Sequence, residues 1–117
     1  MPRQSSSLPK DDTVYAGQML DCARRATRLV TGKTRDDFDA DEVLSLALTH
    51  LLQIIGEAAR RVSPDFRLQH PNVPWAEVVG MRHRVVHDYL NIDQDIVWDV
   101  VNRDLQPLIV ELARIVD

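Results

Sequence analysis

Apolar residues recur at helical spacing along most of the chain after its first ten residues. Over residues 11–30 they return every three or four positions, and Asp11, Asp12 and Thr13 are candidate N-caps. Gly32 is expected to end this helix. Residues 41–62 carry an apolar stripe with further apolar residues beside it, so more than one face must be covered. The pattern predicts two long helices, of which the second is the longest in the chain and lies centrally or against a second subunit.

Turn signals separate these helices from each other and from the rest of the chain. Thr34 and Asp37 have the spacing of a capping box, which predicts a short turn through Phe38. Residues 63–74 contain three prolines and are expected to form a loop with at most one short helical turn.

Two more helices are expected in the second half of the chain. Pro74 suits the first position of a helix over residues 74–89, because its missing N–H would be unpaired there. A last helix is expected to begin near Asp93, and Pro107 should kink or restart it. The sequence therefore predicts an all-α, up-and-down bundle of four main helices, formed by residues 11–117 behind a disordered tail of residues 1–10.

The composition narrows the class of protein. A length of 117 residues suits one domain, and 44% hydrophobic with 27% charged residues is typical of a soluble globular chain. Because Cys22 is the only cysteine, an intrachain disulfide is excluded. Polar residues interrupt the most apolar stretch and the tail lacks an apolar block, so we expect a cytoplasmic protein that does not span a membrane. A net charge of −4 argues against broad coating of nucleic acid but allows a local basic cleft.

The chemistry-bearing residues concentrate between positions 82 and 89, which hold Arg82, His83, Arg84, His87, Asp88 and Tyr89. Guanidinium groups bind phosphate oxygens, and imidazoles transfer protons near neutral pH, so the combination suits phosphodiester chemistry. On a continuous helix, Arg82 and His87 would lie about 140° apart, whereas His83 and His87 would share a face. Two alternatives remain open: a surface helix whose basic residues complement the helix dipole, and a metal-binding regulator that uses His83 and His87.

Other single residues have simpler interpretations. Cys22 is expected to be a small buried apolar residue, and His50 a partly buried histidine with a partner. Glu57 lies among apolar residues and needs a partner if it is buried, for which an arginine is the obvious candidate. Trp75 and Trp98 are expected to be core or interface anchors.

Several separated segments resemble the HepT-like toxins of the HEPN superfamily, which are small all-α ribonucleases of prokaryotic toxin–antitoxin systems. The matching segments are Ile55-Gly56-Glu57-Ala58, Pro71-Asn72-Val73-Pro74-Trp75, Gly80-Met81-Arg82, His87-Asp88-Tyr89 and the stretches 93–98 and 104–108. They occur in the expected order and cover nearly the whole chain after the tail. The family's R-x4-H-x-Y motif corresponds to Arg82, His87 and Tyr89, and His83 stands where the family most often has Asn.

The resemblance implies an RNA endonuclease that needs no metal or cofactor and leaves a 2′,3′-cyclic phosphate. Arg82 would hold the scissile phosphate, His87 would transfer a proton, and His83 and Arg84 would support RNA binding. The family implies a homodimer with both motifs in a shared cleft. It also implies a partner, a minimal nucleotidyltransferase antitoxin that transfers AMP to Tyr89. The competing interpretation is a non-catalytic HEPN scaffold that only docks such a nucleotidyltransferase.

Overall fold

A computed structural model describes residues 4–88 and 91–117 of the chain. Its elements, in chain order, are α1 (Gln4–Val30), α2 (Arg35–Asp39), α3 (Glu42–Arg61), α4 (Pro64–Gln69), α5 (Trp75–Val79), α6 (Met81–Val85), β1 (Val86–Asp88), β2 (Asn91–Ile92), α7 (Gln94–Asp99), a π-helical turn (Val100–Asp104) and α8 (Leu105–Val116). The all-α class predicted from the sequence is therefore confirmed, with one short hairpin added.

The first helix begins earlier than predicted. It starts at Gln4 and is 27 residues long, so the start expected near residues 11–13 was wrong. The 20-residue α3 is consequently not the longest helix, as had been expected. Hydrophobic periodicity detects a helix only where apolar residues recur along the sequence, and residues 4–10 are mostly polar. The tail predicted for residues 1–10 overlaps the first turns of α1, and residues 1–3 lie outside the described part.

Helices α1 and α3 pack together along their length and run in opposite directions. Gly32 lies in the turn directly after α1. Its φ of 76° is in the left-handed region, which glycine adopts without the strain that a side chain would cause. Thr34 and Asp37 form the predicted capping box at the start of α2. At the other end, Asp12 accepts hydrogen bonds from the Ser63 N–H at 2.8 Å and the Ser63 hydroxyl at 2.7 Å. These bonds join the end of α3 to α1.

The hydrophobic core lies between α1, α3 and α8. Its largest fully buried side chains come from all three helices and from the short α2 and α7, and they include Met19, Phe38, Leu48, Leu52, Ile55, Val97, Leu105 and Leu112. Asp93 caps α7, close to where the last helix was expected to begin, and a π-helical turn separates α7 from α8 just before Pro107. Pro107 cannot donate a backbone hydrogen bond, so this local change in helical geometry agrees with the kink or restart predicted there.

The predicted helix over residues 74–89 does not exist as one element. It is divided at Gly80 into α5 and α6, and it ends at Val85. Val86–Asp88 then pairs antiparallel with Asn91–Ile92. The carbonyl of Val85 accepts a hydrogen bond from the Asp93 N–H at 2.8 Å, so a later segment of the chain takes up this carbonyl where the helix ends. The third of the four predicted main helices is therefore replaced by two short helices, α5 and α6, and a hairpin.

Among the described residues, α3 alone is long and apolar enough to cross a membrane by length and composition. Half of its apolar stretch is buried inside the protein, and the core helix of a soluble protein has the same properties.

Candidate functional site

A glycine allows the chemistry-bearing segment to pack closely on α3. A Cβ atom on Gly56 would lie 3.2 Å from the carbonyl oxygen of Val78 and 3.8 Å from the backbone nitrogen of Arg82. Both atoms belong to backbone, which moves less easily than the end of a side chain. The absence of a side chain at Gly56 therefore sets how near the start of α6, and with it Arg82, lies to α3.

The close approach leaves a groove of about 390 Å³ between α3 and the α5–α6 turn. Its polar lining includes Glu57, Arg60, Arg82 and His83. Arg60 Nη2 donates to Glu57 Oε1 at 2.6 Å, which confirms the expected arginine partner. This hydrogen bond lowers the pKa of Glu57, and the positive charges of Arg60, Arg61 and Arg82 lower it further. The groove is therefore lined by an ionised carboxylate and an excess of guanidinium groups.

His87 lies on β1 and is held from α7. Its Nε2 atom is 3.3 Å from Oδ2 of Asp93, while Oδ1 of the same carboxylate accepts the N–H of Ile96 at 3.1 Å. The bond from Ile96, and next the contact with His87, lower the pKa of Asp93 below its ordinary value. The side chain of His87 remains 52% exposed, against 27% for Asp93. The imidazole is therefore open to solvent on one side and fixed on the other.

The structure places the predicted site residues in three different surroundings. Arg82 and His83 line the groove beside α3, whereas Arg84 points to Asp104, with 3.8 Å between Nη2 and Oδ2. His87 contacts Asp93. In the described part of the chain, no hydrogen bond or ion pair joins Arg82 to His87. Tyr89 lies outside the described residues.

Two residues that position the site were not recognised as such in the sequence. Asp93 was noted as the start of a helix and within one of the matching stretches, and Gly56 only as part of a matching segment. A detectable signal for Asp93 was an N-cap aspartate six residues after a histidine, because a cap residue has a second oxygen free to contact a neighbour. No local signal could have found Gly56, because its role depends on a carbonyl twenty-two residues later in the chain.

Helical spacing led to a wrong prediction of the relative positions of His83 and His87. His83 lies on α6 and His87 on β1, so the argument that they share one helix face was wrong. In the described ranges, no group of three or more His, Cys, Asp and Glu side chains is arranged to hold a metal ion.

The structure confirms the predictions made for Cys22 and the two tryptophans but not the one made for His50. Cys22 is buried, and burial raises the pKa of its thiol, as expected of a small core residue. Trp75 is buried and donates from Nε1 to the carbonyl of His70 at 2.9 Å, and Trp98 packs on Phe38 with ring centroids 5.3 Å apart. Both tryptophans are therefore anchors, as predicted. The expectation for His50 was wrong, because it is exposed on α3.

Several proteins similar to this chain are named as ribonucleases. The chain is 37% identical over 79 residues to "Putative RNase TTE0752" of Caldanaerobacter subterraneus subsp. tengcongensis, covering 68% of this chain and 70% of that protein. It is 32% identical over 96 residues to "Putative RNase MJ1380" of Methanocaldococcus jannaschii, covering 82% and 88%. It is 33% identical over 93 residues to "Probable ribonuclease HepT" of Thermococcus cleftensis, covering 76% and 84%.

No solved structure matches the chain. The sequence profile of the family described as "Ribonuclease HepT-like" matches residues 19–115, which include α3, the groove and the His87–Asp93 contact. This protein belongs to the HepT-like ribonuclease family.

Proposed function

We propose that this protein is a metal-independent RNA endonuclease and the toxin of a toxin–antitoxin pair. The observation that carries the proposal is the solvent-exposed imidazole of His87, held by a carboxylate, in the same short segment as the exposed guanidinium of Arg82. Membership of a ribonuclease family supports the substrate class. The cytoplasm, where cellular RNA is found, is the proposed location.

The proposed reaction uses the 2′-hydroxyl of RNA as the nucleophile. His87 takes the proton of that hydroxyl while the O2′–P bond forms and the P–O5′ bond breaks. The net result moves one proton from the 2′-hydroxyl to the leaving 5′-oxygen and produces a 2′,3′-cyclic phosphate. Arg82 stabilises the charge that develops on the phosphoryl oxygens, and His83 and Arg84 support binding of the RNA backbone.

The decisive experiment is cleavage of cellular RNA by purified protein, free of AMP, in excess EDTA. We expect products that end in cyclic phosphate. An RNA oligonucleotide with the sequence of a cleaved site should be cut, whereas the same oligonucleotide without 2′-hydroxyls should not. Arg82→Lys should reduce cleavage because an ammonium lacks the bidentate fork, whereas Arg114→Lys on α8 should not. Failure to cut any cellular RNA would favour the scaffold that only docks a nucleotidyltransferase.

A homodimer is the second part of the proposal, supported by an exposed and largely apolar row on α3, in which His50 lies between Leu46 and Ile54. Val43 and Leu46 are 76% and 54% exposed, and the row continues through the half-buried Ile54 to Glu57 at the groove. There the row meets Arg60 and Arg61, so a carboxylate and guanidinium groups lie together in one patch. Such a patch is self-complementary about a two-fold axis, which suits a second copy of this chain and would bring the two grooves together.

Sedimentation equilibrium tests the dimer. Leu46→Arg should convert the protein to a monomer, because it places a charge in the apolar row. Leu68→Arg is the matched control, since Leu68 is 79% exposed on α4, away from that row. A dimer that survives Leu46→Arg, or a wild type that is monomeric at high concentration, would contradict this part of the proposal.

The third part concerns inhibition by a minimal nucleotidyltransferase antitoxin. Transfer of AMP to the hydroxyl of Tyr89 would place a phosphodiester charge beside the site and repel RNA. The position of Tyr89 directly after β1, two residues from His87, supports this assignment. Tyr89→Phe should remain an active nuclease that the partner and ATP no longer silence. Continued silencing would indicate inhibition by occlusion or at another residue.

A further inference from the structure

We infer that Asp93 is a positioning residue that fixes His87 as the Nε2–H tautomer and leaves Nδ1 as the atom that accepts the proton. The inference deepens the proposed function and rests on it for its catalytic consequence. The contact between the two side chains does not depend on that function, so it can be tested separately.

The backbone of Asp93 is held independently of its side chain. Its N–H donates to the carbonyl of Val85 at 2.8 Å, at the end of α6 and directly before β1. On the hairpin, Val86 pairs with Ile92. These two connections fix the distance between the strand that carries His87 and the residue that caps α7. Asp93 therefore reaches the imidazole from a defined position.

The two carboxylate oxygens of Asp93 have different tasks. Oδ1 accepts the N–H of Ile96 in the first turn of α7, and Oδ2 is left facing Nε2 of His87 at 3.3 Å. An aspartate cap can serve both because only one oxygen is needed to cap the helix. The side chain of Asp93 cannot rotate toward solvent without losing the cap.

The chemistry of the contact selects the tautomer. An ionised carboxylate has only acceptor atoms, and the hydrogen bond from Ile96 keeps the pKa of Asp93 low. Nε2 must therefore carry the hydrogen in this contact, and in the neutral ring Nδ1 then holds the free lone pair. The side chain is 52% exposed, which leaves room for a 2′-hydroxyl to approach the ring.

Asp93→Asn is expected to change the tautomer of His87 while it keeps the cap of α7. The amide oxygen can still accept the Ile96 N–H, while the amide NH₂ replaces Oδ2 and donates to Nε2. The imidazole would then be forced into the Nδ1–H form, with its lone pair directed at Asn. We expect kcat for RNA cleavage to fall about 100-fold, the size of a lost general-base contribution, with KM little changed.

The matched control is Asp95→Asn, which removes the same charge two residues further along α7. Asp95 pairs with Arg35 at 2.7 Å and is exposed, so we expect unchanged kcat. Should Asp93→Asn fold poorly, Asp93→Ser keeps a capping oxygen but withdraws it from the imidazole. The ring is then free to adopt either tautomer, so we expect its ¹⁵N spectrum to show a mixture and kcat to fall less than in Asp93→Asn.

The direct readout is the ¹⁵N spectrum of the His87 ring, which distinguishes the two neutral tautomers. We expect Nε2–H in the wild type and Nδ1–H in Asp93→Asn. A wild type in the Nδ1–H form, or an Asn variant with wild-type kcat, would overturn the inference. If the wild type does not cleave RNA but shows Nε2–H, the positioning holds and only the proposed nuclease function fails.

Discussion

The α1–α3 pair and the segment from Gly80 to Asp93 are held in place by different kinds of contact. The helix pair buries long apolar rows and is stabilised by contacts along its length. Among its described residues, the segment buries Met81 and Val85 and exposes Arg82, His83 and His87. Its shape depends on single backbone contacts, such as the Asp93–Val85 hydrogen bond. Stability and chemistry are thus expected to reside in separate regions, which substitutions can test.

The largest expected effect is on catalysis alone. His87→Ala should reduce RNA cleavage by about 10³-fold, because it removes the proton acceptor, while the melting temperature stays close to that of the wild type. Its counterpart in the helix pair is Leu52→Ala, which deletes a fully buried side chain and should cost about 2–5 kcal/mol of stability. Cleavage per folded molecule should remain unchanged in Leu52→Ala. Calorimetry measures the stability of both variants, and product analysis measures their cleavage of RNA. A large loss of stability in His87→Ala would contradict the separation of stability and chemistry between the two regions.

A glycine substitution tests a place where the backbone before and within the segment packs closely on α3. Gly56→Val should lower stability by about 1–3 kcal/mol, because its side chain meets the Val78 carbonyl. It should also lower cleavage, since α6 and Arg82 must move away from α3. Gly17→Val on α1 is the matched control, because a Cβ at Gly17 meets nothing within 4 Å. Normal cleavage by folded Gly56→Val would show that the position of Arg82 does not depend on this contact.

The smallest effect is the response to acid, which involves Asp37 on α2, between the two paired helices, and Asp93 at the end of the segment. Backbone hydrogen bonds lower the pKa of Asp37, from Thr34, and of Asp93, from Ile96. Their contribution to stability is therefore complete above the ordinary aspartate value of 3.8 and is lost as the pH falls through the lowered values. Thermal melting between pH 7 and pH 3 measures this loss. Asp37→Asn and Asp93→Asn should each flatten the acid slope, and neither should change it near neutral pH.

The same contrast explains what could be predicted from the sequence. The α1–α3 pair follows from apolar periodicity, and Gly32 and Thr34 carry local signals for their turns. The segment after Gly80 was wrongly predicted as one helix because its end depends on a backbone bond from Asp93, which no local pattern encodes. The candidate residues Arg82 and His87 were found by their chemistry. The positioning role of Gly56 became recognisable only through a non-local contact, and that of Asp93 through its contact with His87.

The double use of the Asp93 carboxylate has a consequence for the behaviour of the protein on heating. Fraying of the first turn of α7 would break the cap and the contact with His87 in a single event. Short, exposed elements open at a lower free energy than a buried helix pair does. Enzymatic inactivation is therefore expected at temperatures where most of the helical backbone is still intact. The activity of this protein would then report the integrity of one helical turn.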